Sequence, residues 1–154
     1  MKADINYNLL GVLDKGVSLS TDHRRLYYNE TIDTSTYFSS FKSITGSEID
    51  SIVDRLNRIY AQAQTAGFQR VYLSIIPNPV SLLDPHFKGL AYNGQVERIQ
   101  NAAGLKMHCI NVMPVFSKLK DSAYERSDTH WTPYGAQVWL DQFNKELSGV
   151  AVEH

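Results

Sequence analysis

The sequence predicts a fold of the α/β class, and two observations lead to that prediction. An amphipathic helical segment is followed by an apolar, β-branched run that ends at a proline, and the same helix-then-strand order occurs a second time. Strand, helix and strand joined by short connections are typical of a parallel sheet with right-handed crossovers. The length of 154 residues suits one domain, since domains usually contain roughly 100–200 residues.

The N-terminal segment predicts a small antiparallel β-meander. Short apolar runs at 9–13 and 26–28 lie on either side of an alternating segment at 17–20, with turn-forming residues between them. Residues 29–44 are rich in threonine and serine and predict an ordered loop.

The first long helix is predicted over residues 46–66. Thr45 and Glu48 have the spacing of a capping box, in which each side chain satisfies a free backbone donor of the first turn. Gly67 stands where a C-terminal cap belongs. The apolar positions then follow helical spacing at Ile49, Ile52, Val53, Leu56, Tyr60 and Ala63. We expect Ile52, Val53 and Leu56 to be buried.

Two buried strands are predicted around a second helix. The first strand covers residues 70–76 and ends at Pro77, the helix covers 93–103, and the second strand covers 107–112. We expect 71–76 and 110–112 to be neighbouring parallel strands.

The last helix is predicted over residues 133–147. Thr132 can cap it, and Pro133 suits the first helical position because its missing N–H would have no partner there. Its apolar face consists of Ala136, Trp139, Leu140, Phe143 and Leu147. Of these we expect Trp139, Leu140 and Phe143 to be buried.

Composition excludes several classes of function. Fifteen Lys and Arg against sixteen Asp and Glu give a formal charge of −1, with no basic cluster to neutralise phosphates, so nucleic acid is not an expected partner. No run approaches the ~20 apolar residues of a membrane span. Cys109 is the single cysteine, which rules out an intrachain disulfide. The histidines show no metal-ligand spacing, so a metal is not expected.

Asp128 and His130 are the candidate catalytic residues. In extended chain, side chains two residues apart point to the same side, so a carboxylate and an imidazole at this spacing can be neighbours. An aspartate that accepts a hydrogen bond from one ring nitrogen fixes the tautomer, and the other nitrogen can then take a proton from a nucleophile. The same spacing is also compatible with a capping aspartate beside an ordinary surface histidine.

The residues around this pair resemble a known family. The segment Asp128-Thr129-His130-Trp131-Thr132-Pro133-Tyr134-Gly135-Ala136 is similar to the Asp-Thr-His-Trp segment of SGNH-hydrolase-like acetyltransferase domains, which O-acetylate alginate and related cell-surface polysaccharides. The weaker resemblance upstream includes a strand and short helix at 111–116 and extends the match to most of residues 11–147. Only the Asp-x-His-Trp segment is specific.

The resemblance implies a fold, a chemistry and a location. The fold would be an SGNH-like (flavodoxin-like) three-layer sandwich with a mainly parallel sheet. Asp128 would be the orienting acid and His130 the base, acting without a cofactor on a polysaccharide or another acyl ester. Trp131 and Tyr134 would contact the substrate, although for Trp131 a core position against the last helix is favoured over such a contact. The location would be the periplasm or the cell surface.

The sequence departs from this family at the nucleophile. The family's serine follows the Asp-x-His segment in a Gly-Asp-Ser-like turn after a later strand, and no Gly-Asp-Ser occurs in this chain. Residues 152–154 resemble the start of a histidine tag, so we expect residues 1–151 to be one domain of a longer protein. Without the serine-bearing strand the sheet would be incomplete, and a second copy of the chain could cover its open edge.

The sequence therefore leaves two functions open. The chain could be the Asp-His half of a serine acyltransferase or esterase, or a non-catalytic carbohydrate-binding or assembly module of the same fold. For the second function, aromatic side chains that could stack on sugars are Tyr27, Tyr28, Tyr37, Phe38 and Tyr92.

Overall fold

The structure, a computed structural model, describes residues 15–37 and 39–148. The strands are β1 Val17–Leu19, β2 Leu26–Tyr28, β3 Tyr72–Leu73 and β4 His108–Cys109. The α-helices are α1 Gly46–Thr65, α2 Pro79–Leu83, α3 Gln95–Gln100, α4 Met113–Leu119 and α5 Pro133–Ser148. Single 3₁₀ turns cover Asn29–Thr31, Phe87–Gly89 and Lys120–Ser122. The mixture of helices with small sheets agrees with the predicted α/β class.

Strands β1 and β2 form an antiparallel hairpin, as predicted. Val17 lies opposite Tyr28 and Leu19 lies opposite Leu26. The remaining strand of the predicted meander, at 9–13, lies outside the described residues. Residues 29–37 and 39–44, which belong to the predicted loop, are irregular apart from one 3₁₀ turn.

Strands β3 and β4 are parallel neighbours, which confirms the predicted parallel arrangement, but β4 lies at His108–Cys109, just before the predicted 110–112. Tyr72 lies opposite His108 and Leu73 opposite Cys109, and the amide of Ile110 donates to the carbonyl of Leu73 over 2.8 Å. The strands are shorter than predicted. Beyond Leu73 the hydroxyl of Ser74, rather than a backbone N–H, donates to the carbonyl of Ile110, and the ladder ends there.

Helices pack on both faces of this sheet because side chains alternate along β3 and its extension. Leu73 and Ile75 pack against α1 and α3, in a cluster built on Ile49, Val53 and Ile99. Tyr72 and Ile76 point to the opposite face. The buried residues of that face are Ile110, Val112, Phe116, Ala123 and Tyr124, with α5 packed against them.

Helix α1 follows the sequence prediction closely. Thr45 accepts a hydrogen bond from the amide of Glu48, and the Glu48 carboxylate accepts one from the amide of Thr45, so the capping box is present. The helix ends at Thr65, and Gly67 has a φ of +91°, the left-handed conformation that favours glycine. Val53 is buried, whereas Ile52 and Leu56 are half-buried.

Helices α3 and α5 differ from the prediction in detail. Helix α3 covers only Gln95–Gln100. It begins two residues later than predicted because Gly94 before it adopts a left-handed conformation, and it ends three residues earlier, before Asn101. The predicted burial of Leu140 is wrong, since 41% of its surface is exposed. Trp139 and Phe143 are half-buried and pack on the sheet-facing cluster, and Leu140 lies on the flank of the helix beside that contact line.

A separate cluster joins the hairpin to the loop and to α2. Tyr27, Phe41, Val80 and Phe87 are all buried in it. Helix α2 has five residues, too few for a helical period to be recognised in the sequence. No helix among the described residues is long and apolar enough to cross a membrane.

Candidate functional site

Asp128 and His130 lie in a loop that is closed by its flanking residues. Tyr124 and Trp131 form an isolated antiparallel bridge, and the amide of Glu125 donates to the carbonyl of His130 over 2.9 Å. We call residues 125–130 the dyad loop. Because its two ends are hydrogen-bonded to each other, the loop presents Asp128 and His130 together.

The predicted contact between Asp128 and His130 is present. Oδ1 of Asp128 lies 2.7 Å from Nδ1 of His130, and the same oxygen accepts the backbone N–H of His130 at 3.2 Å. The carboxylate therefore holds both the ring and the main chain of the histidine. This arrangement favours the tautomer in which Nδ1 carries the proton.

The electrostatics of Asp128 agree with this geometry. Partial burial raises the pKa of the Asp128 carboxyl, and hydrogen bonds from the ring and the amide of His130 lower it by more, so the pKa lies below the ordinary 3.8. The carboxylate is thus charged at neutral pH. A charged carboxylate at Nδ1 stabilises the imidazolium that forms when the ring takes a second proton.

His130 faces solvent. Its side chain is 78% exposed, and no hydrogen bond from residues 15–37 or 39–148 reaches its Nε2. That nitrogen is therefore available as a base to a group that approaches from outside. The pair has the geometry of the acid–base half of a catalytic triad.

Among the described residues, no serine hydroxyl is hydrogen-bonded to His130. The hydroxyl of Ser74 accepts the indole N–H of Trp139 at 3.0 Å and is used in packing. The hydroxyls of Ser40 and Ser81 are buried and bonded to each other at 2.7 Å. Ser127 is exposed in the dyad loop, with no hydrogen bond between it and His130.

Trp131 and Tyr134, the two predicted substrate contacts, differ in position. Trp131 packs on Phe116 and Trp139, with ring centroids at 6.4 and 5.7 Å, so the core position that the sequence left open is the one it occupies. Tyr134 is 54% exposed in the first turn of α5, close in sequence to His130. Of the two, Tyr134 is available to a bound molecule, and its contact with substrate stays a prediction.

The start of α5 is fixed directly after the dyad. The hydroxyl of Thr132 accepts the amide of Gly135 at 3.0 Å, which is the predicted cap, and it donates to the carbonyl of Ser122. A side chain at Gly135 would collide with the backbone carbonyl of Ala123. The glycine is therefore required for close approach between the helix and the residues before the loop.

Two long-range contacts place the dyad loop on the rest of the molecule. The hydroxyl of Tyr124 donates to the carbonyl of Pro77 over 2.6 Å, just beyond the carboxyl end of β3. The guanidinium of Arg25 donates to the carbonyls of Tyr124 and Glu125. Tyr124, the residue before the dyad loop, therefore lies beside the carboxyl end of β3, and ligands of open α/β sheets bind at that edge. Arg25 gave no signal in the sequence, since it contacts residues about a hundred positions away.

A cavity of about 600 Å³ lies away from the dyad loop. It is lined by residues at the starts of β3 and β4 and at the end of α5, among them Tyr72, His108 and Glu146. His108 and Glu146 form a second exposed histidine–carboxylate pair, with 3.0 Å between Nε2 and Oε2. In the part of the chain that the structure describes, no three His, Cys, Asp or Glu residues are grouped to hold a metal ion.

Comparison with known proteins adds no relative to these observations, since no family model, no curated protein and no solved structure matches the chain.

Proposed function

We propose that this chain is the acid–base half of a serine acyltransferase or esterase that acts on O-acetyl groups of a cell-surface polysaccharide. The observation that carries the proposal is the 2.7 Å contact between Asp128 and Nδ1 of His130, which leaves Nε2 of His130 directed to solvent. In this role Asp128 orients the imidazole, and His130 removes the proton from an attacking hydroxyl and later returns one to the leaving group.

The surroundings of the pair support this chemistry. A base needs room for the nucleophile and the ester, and the 78% exposure of the His130 side chain provides that room. The residue before the dyad loop, Tyr124, is bonded to Pro77 just beyond the carboxyl end of β3, the edge where ligands of α/β sheets bind. The resemblance of residues 128–136 to the Asp-x-His-Trp segment of the acetyltransferase family then selects O-acetyl esters among acyl substrates.

The proposed fold follows the same resemblance. Helices on both faces of a parallel pair of strands are compatible with an SGNH-like three-layer sandwich that has a larger sheet. In that fold the nucleophilic serine lies in a Gly-Asp-Ser-like turn, and no Gly-Asp-Ser occurs in the 154-residue sequence. The natural location of such an enzyme would be the periplasm or the cell surface.

Activity measurements on two proteins test this proposal. The 154-residue chain alone should hydrolyse an activated acetyl ester only weakly and without an acyl-enzyme burst, because a base without a nucleophile and oxyanion donors gives little acyl transfer. A longer protein whose reading frame continues into a Gly-Asp-Ser turn should release acetate from an O-acetylated polysaccharide or transfer acetyl groups to it.

Histidine variants of the longer protein give the matched control. His130→Ala should lower kcat by about four powers of ten or more, since the members of a triad act as a unit. His108→Ala removes the other histidine–carboxylate pair and should leave kcat unchanged. Stoichiometric labelling of a serine in the 154-residue chain by a fluorophosphonate would contradict the proposal, and so would equal activity of the two variants.

The second candidate is a non-catalytic carbohydrate-binding or assembly module. Exposed tyrosines favour it, since Tyr28 is 44% and Tyr37 is 69% exposed and both could stack on a sugar ring. Other aromatics proposed from the sequence fit less well. Tyr27 is buried against Phe87, and Tyr92 is partly buried; Phe38 lies outside the described residues. Binding of an acetylated oligosaccharide that is unchanged in His130→Ala and weakened in Tyr37→Ala would favour this candidate.

A further inference from the structure

Arg25 is a buried charged residue next to the dyad loop. It immediately precedes β2 and is 4% exposed. Burying a guanidinium is unfavourable unless its N–H groups find acceptors, and an arginine can serve several acceptors at once because its donors point in fixed, different directions. The acceptors around Arg25 therefore indicate what the buried charge holds in place.

These acceptors lie in the segment that leads into the dyad loop. Nη1 of Arg25 donates to the carbonyls of Tyr124, at 3.0 Å, and Glu125, at 2.5 Å. Nη2 donates to the carbonyl of Asp121 at 3.2 Å and lies 3.4 Å from its carboxylate. Three of the four acceptors are backbone carbonyls, so the arginine fixes the main chain more than it neutralises an acid.

The contact continues into the loop itself. The amide of Leu26, the residue after Arg25, donates to the carbonyl of Arg126 over 2.8 Å. The amide of Glu125 in turn donates to the carbonyl of His130. The main chain at His130 is thus linked through Glu125 to the guanidinium of Arg25.

We propose that Arg25 is a positioning residue for the Asp128–His130 pair, whose acid–base role is the function proposed above. It would hold the first residues of the dyad loop so that the Asp128 carboxylate faces Nδ1 of His130. Without it, the carbonyls of Asp121, Tyr124 and Glu125 would lose their donor and the loop would relax. The hairpin β1–β2 would then be part of the site's framework although it contributes no reacting group.

The tautomer of His130 gives a direct readout. Long-range ¹H–¹⁵N NMR of the neutral imidazole distinguishes a proton on Nδ1 from one on Nε2. In the natural chain we expect Nδ1 to carry the proton, because the Asp128 carboxylate accepts it. We define the tautomer ratio as His130 with its proton on Nδ1 divided by His130 with its proton on Nε2. Arg25→Met should reduce this ratio about two- to tenfold, which is the factor that one hydrogen bond of ordinary strength provides.

Two further variants separate positioning from general stability. Arg25→Lys keeps a positive charge and N–H donors but lacks the planar guanidinium, whose donors point in fixed directions. Its tautomer ratio should therefore lie between those of Arg25→Met and the natural chain. Arg24→Met removes an exposed neighbouring cation and should leave the ratio unchanged. His108, which bonds Glu146 in the cavity away from the loop, should keep its signals in every variant.

An unchanged His130 tautomer in folded Arg25→Met would overturn the proposal, because a merely structural arginine lowers the unfolding temperature without altering the pair. If Arg25→Met does not fold, the test uses Arg25→Lys instead. A tautomer ratio in Arg25→Lys equal to that of the natural chain would overturn the proposal, and a reduced ratio would support it. These measurements need no substrate. A failure of the proposed function would therefore show in the ester assay and leave the NMR result standing.

Discussion

Tyr124 and Trp131 pair across the base of the loop that carries Asp128 and His130. Both side chains also pack on Phe116, with ring centroids at 5.8 Å for Tyr124 and 6.4 Å for Trp131. The hydrophobic cluster on one face of the sheet therefore anchors both ends of the dyad loop. The residues between them can be exposed while their position stays fixed.

The Asp128–His130 contact predicts a change of tautomer on mutation. In Asp128→Ala the acceptor at Nδ1 is lost, so we expect the fraction of His130 with its proton on Nε2 to rise several-fold. The size of the change follows from the free energy of one hydrogen bond to a charged group. Long-range ¹H–¹⁵N NMR measures this fraction. Glu146→Ala is the matched control, since it removes the partner of His108 and should leave His130 as it is. Identical His130 signals in the natural chain and Asp128→Ala would disprove the contact.

The lowered pKa of Asp128 predicts a pH-dependent contribution to stability. Since the pKa in the folded chain lies below the ordinary 3.8, the charged carboxylate stabilises the fold. This contribution is fully present above about pH 5 and is lost as the pH falls through the folded pKa. We expect the natural chain to exceed Asp128→Asn by about 0.5 kcal/mol in free energy of unfolding at pH 6, a value typical of exposed pairs. Urea unfolding from pH 6 to pH 2 should show the gap closing; a gap that widens toward acid would contradict the assigned direction.

Gly135 predicts a large loss of stability on a small substitution. In Gly135→Ala the new methyl group would overlap the backbone carbonyl of Ala123, so the helix must move away from the residues before the dyad loop. We expect a loss of about 3 kcal/mol in free energy of unfolding, at the upper end for overpacking. Gly46→Ala is the control, since a methyl group there meets nothing within 4 Å, and it should change the free energy by less than about 0.5 kcal/mol. Equal effects of the two substitutions would mean that α5 does not approach Ala123 this closely.

The buried hydroxyl of Tyr124 predicts a cost for its removal. Burial raises the pKa of the Tyr124 phenol, so the group remains a donor, and its partner is the carbonyl of Pro77 at 2.6 Å. Tyr124→Phe would leave that carbonyl without this donor, and we expect a loss of about 1–2 kcal/mol in urea unfolding. Tyr37→Phe removes an exposed hydroxyl and should have almost no effect. If Tyr124→Phe left the free energy of unfolding unchanged, the link between the dyad loop and β3 would be weak.

Local sequence patterns predicted those features of the structure that depend on residues close together in the chain. The capping box at Thr45 and Glu48 and the cap at Thr132 depend on residues three positions apart, so the starts of α1 and α5 could be predicted. The contact between Asp128 and His130 depends on residues two positions apart, and it could be predicted in the same way. The class of fold followed from the order of helix and strand signals.

Tertiary packing decided what those patterns left open. Leu140 belongs to the apolar stripe of α5 and is nevertheless exposed, because burial depends on what the rest of the chain places beside a helix. Trp131 lies in the core cluster for the same reason. Arg25 and Tyr124 hold the dyad loop through contacts 99 and 47 positions apart in sequence, and no local pattern predicts either contact. The sequence by itself thus determined that Asp128 and His130 could contact each other and which segments are helical, since both depend on neighbours along the chain. Only the tertiary structure decided how the pair is held and exposed, because the hydrogen bonds and packing that fix it join segments that are distant in sequence.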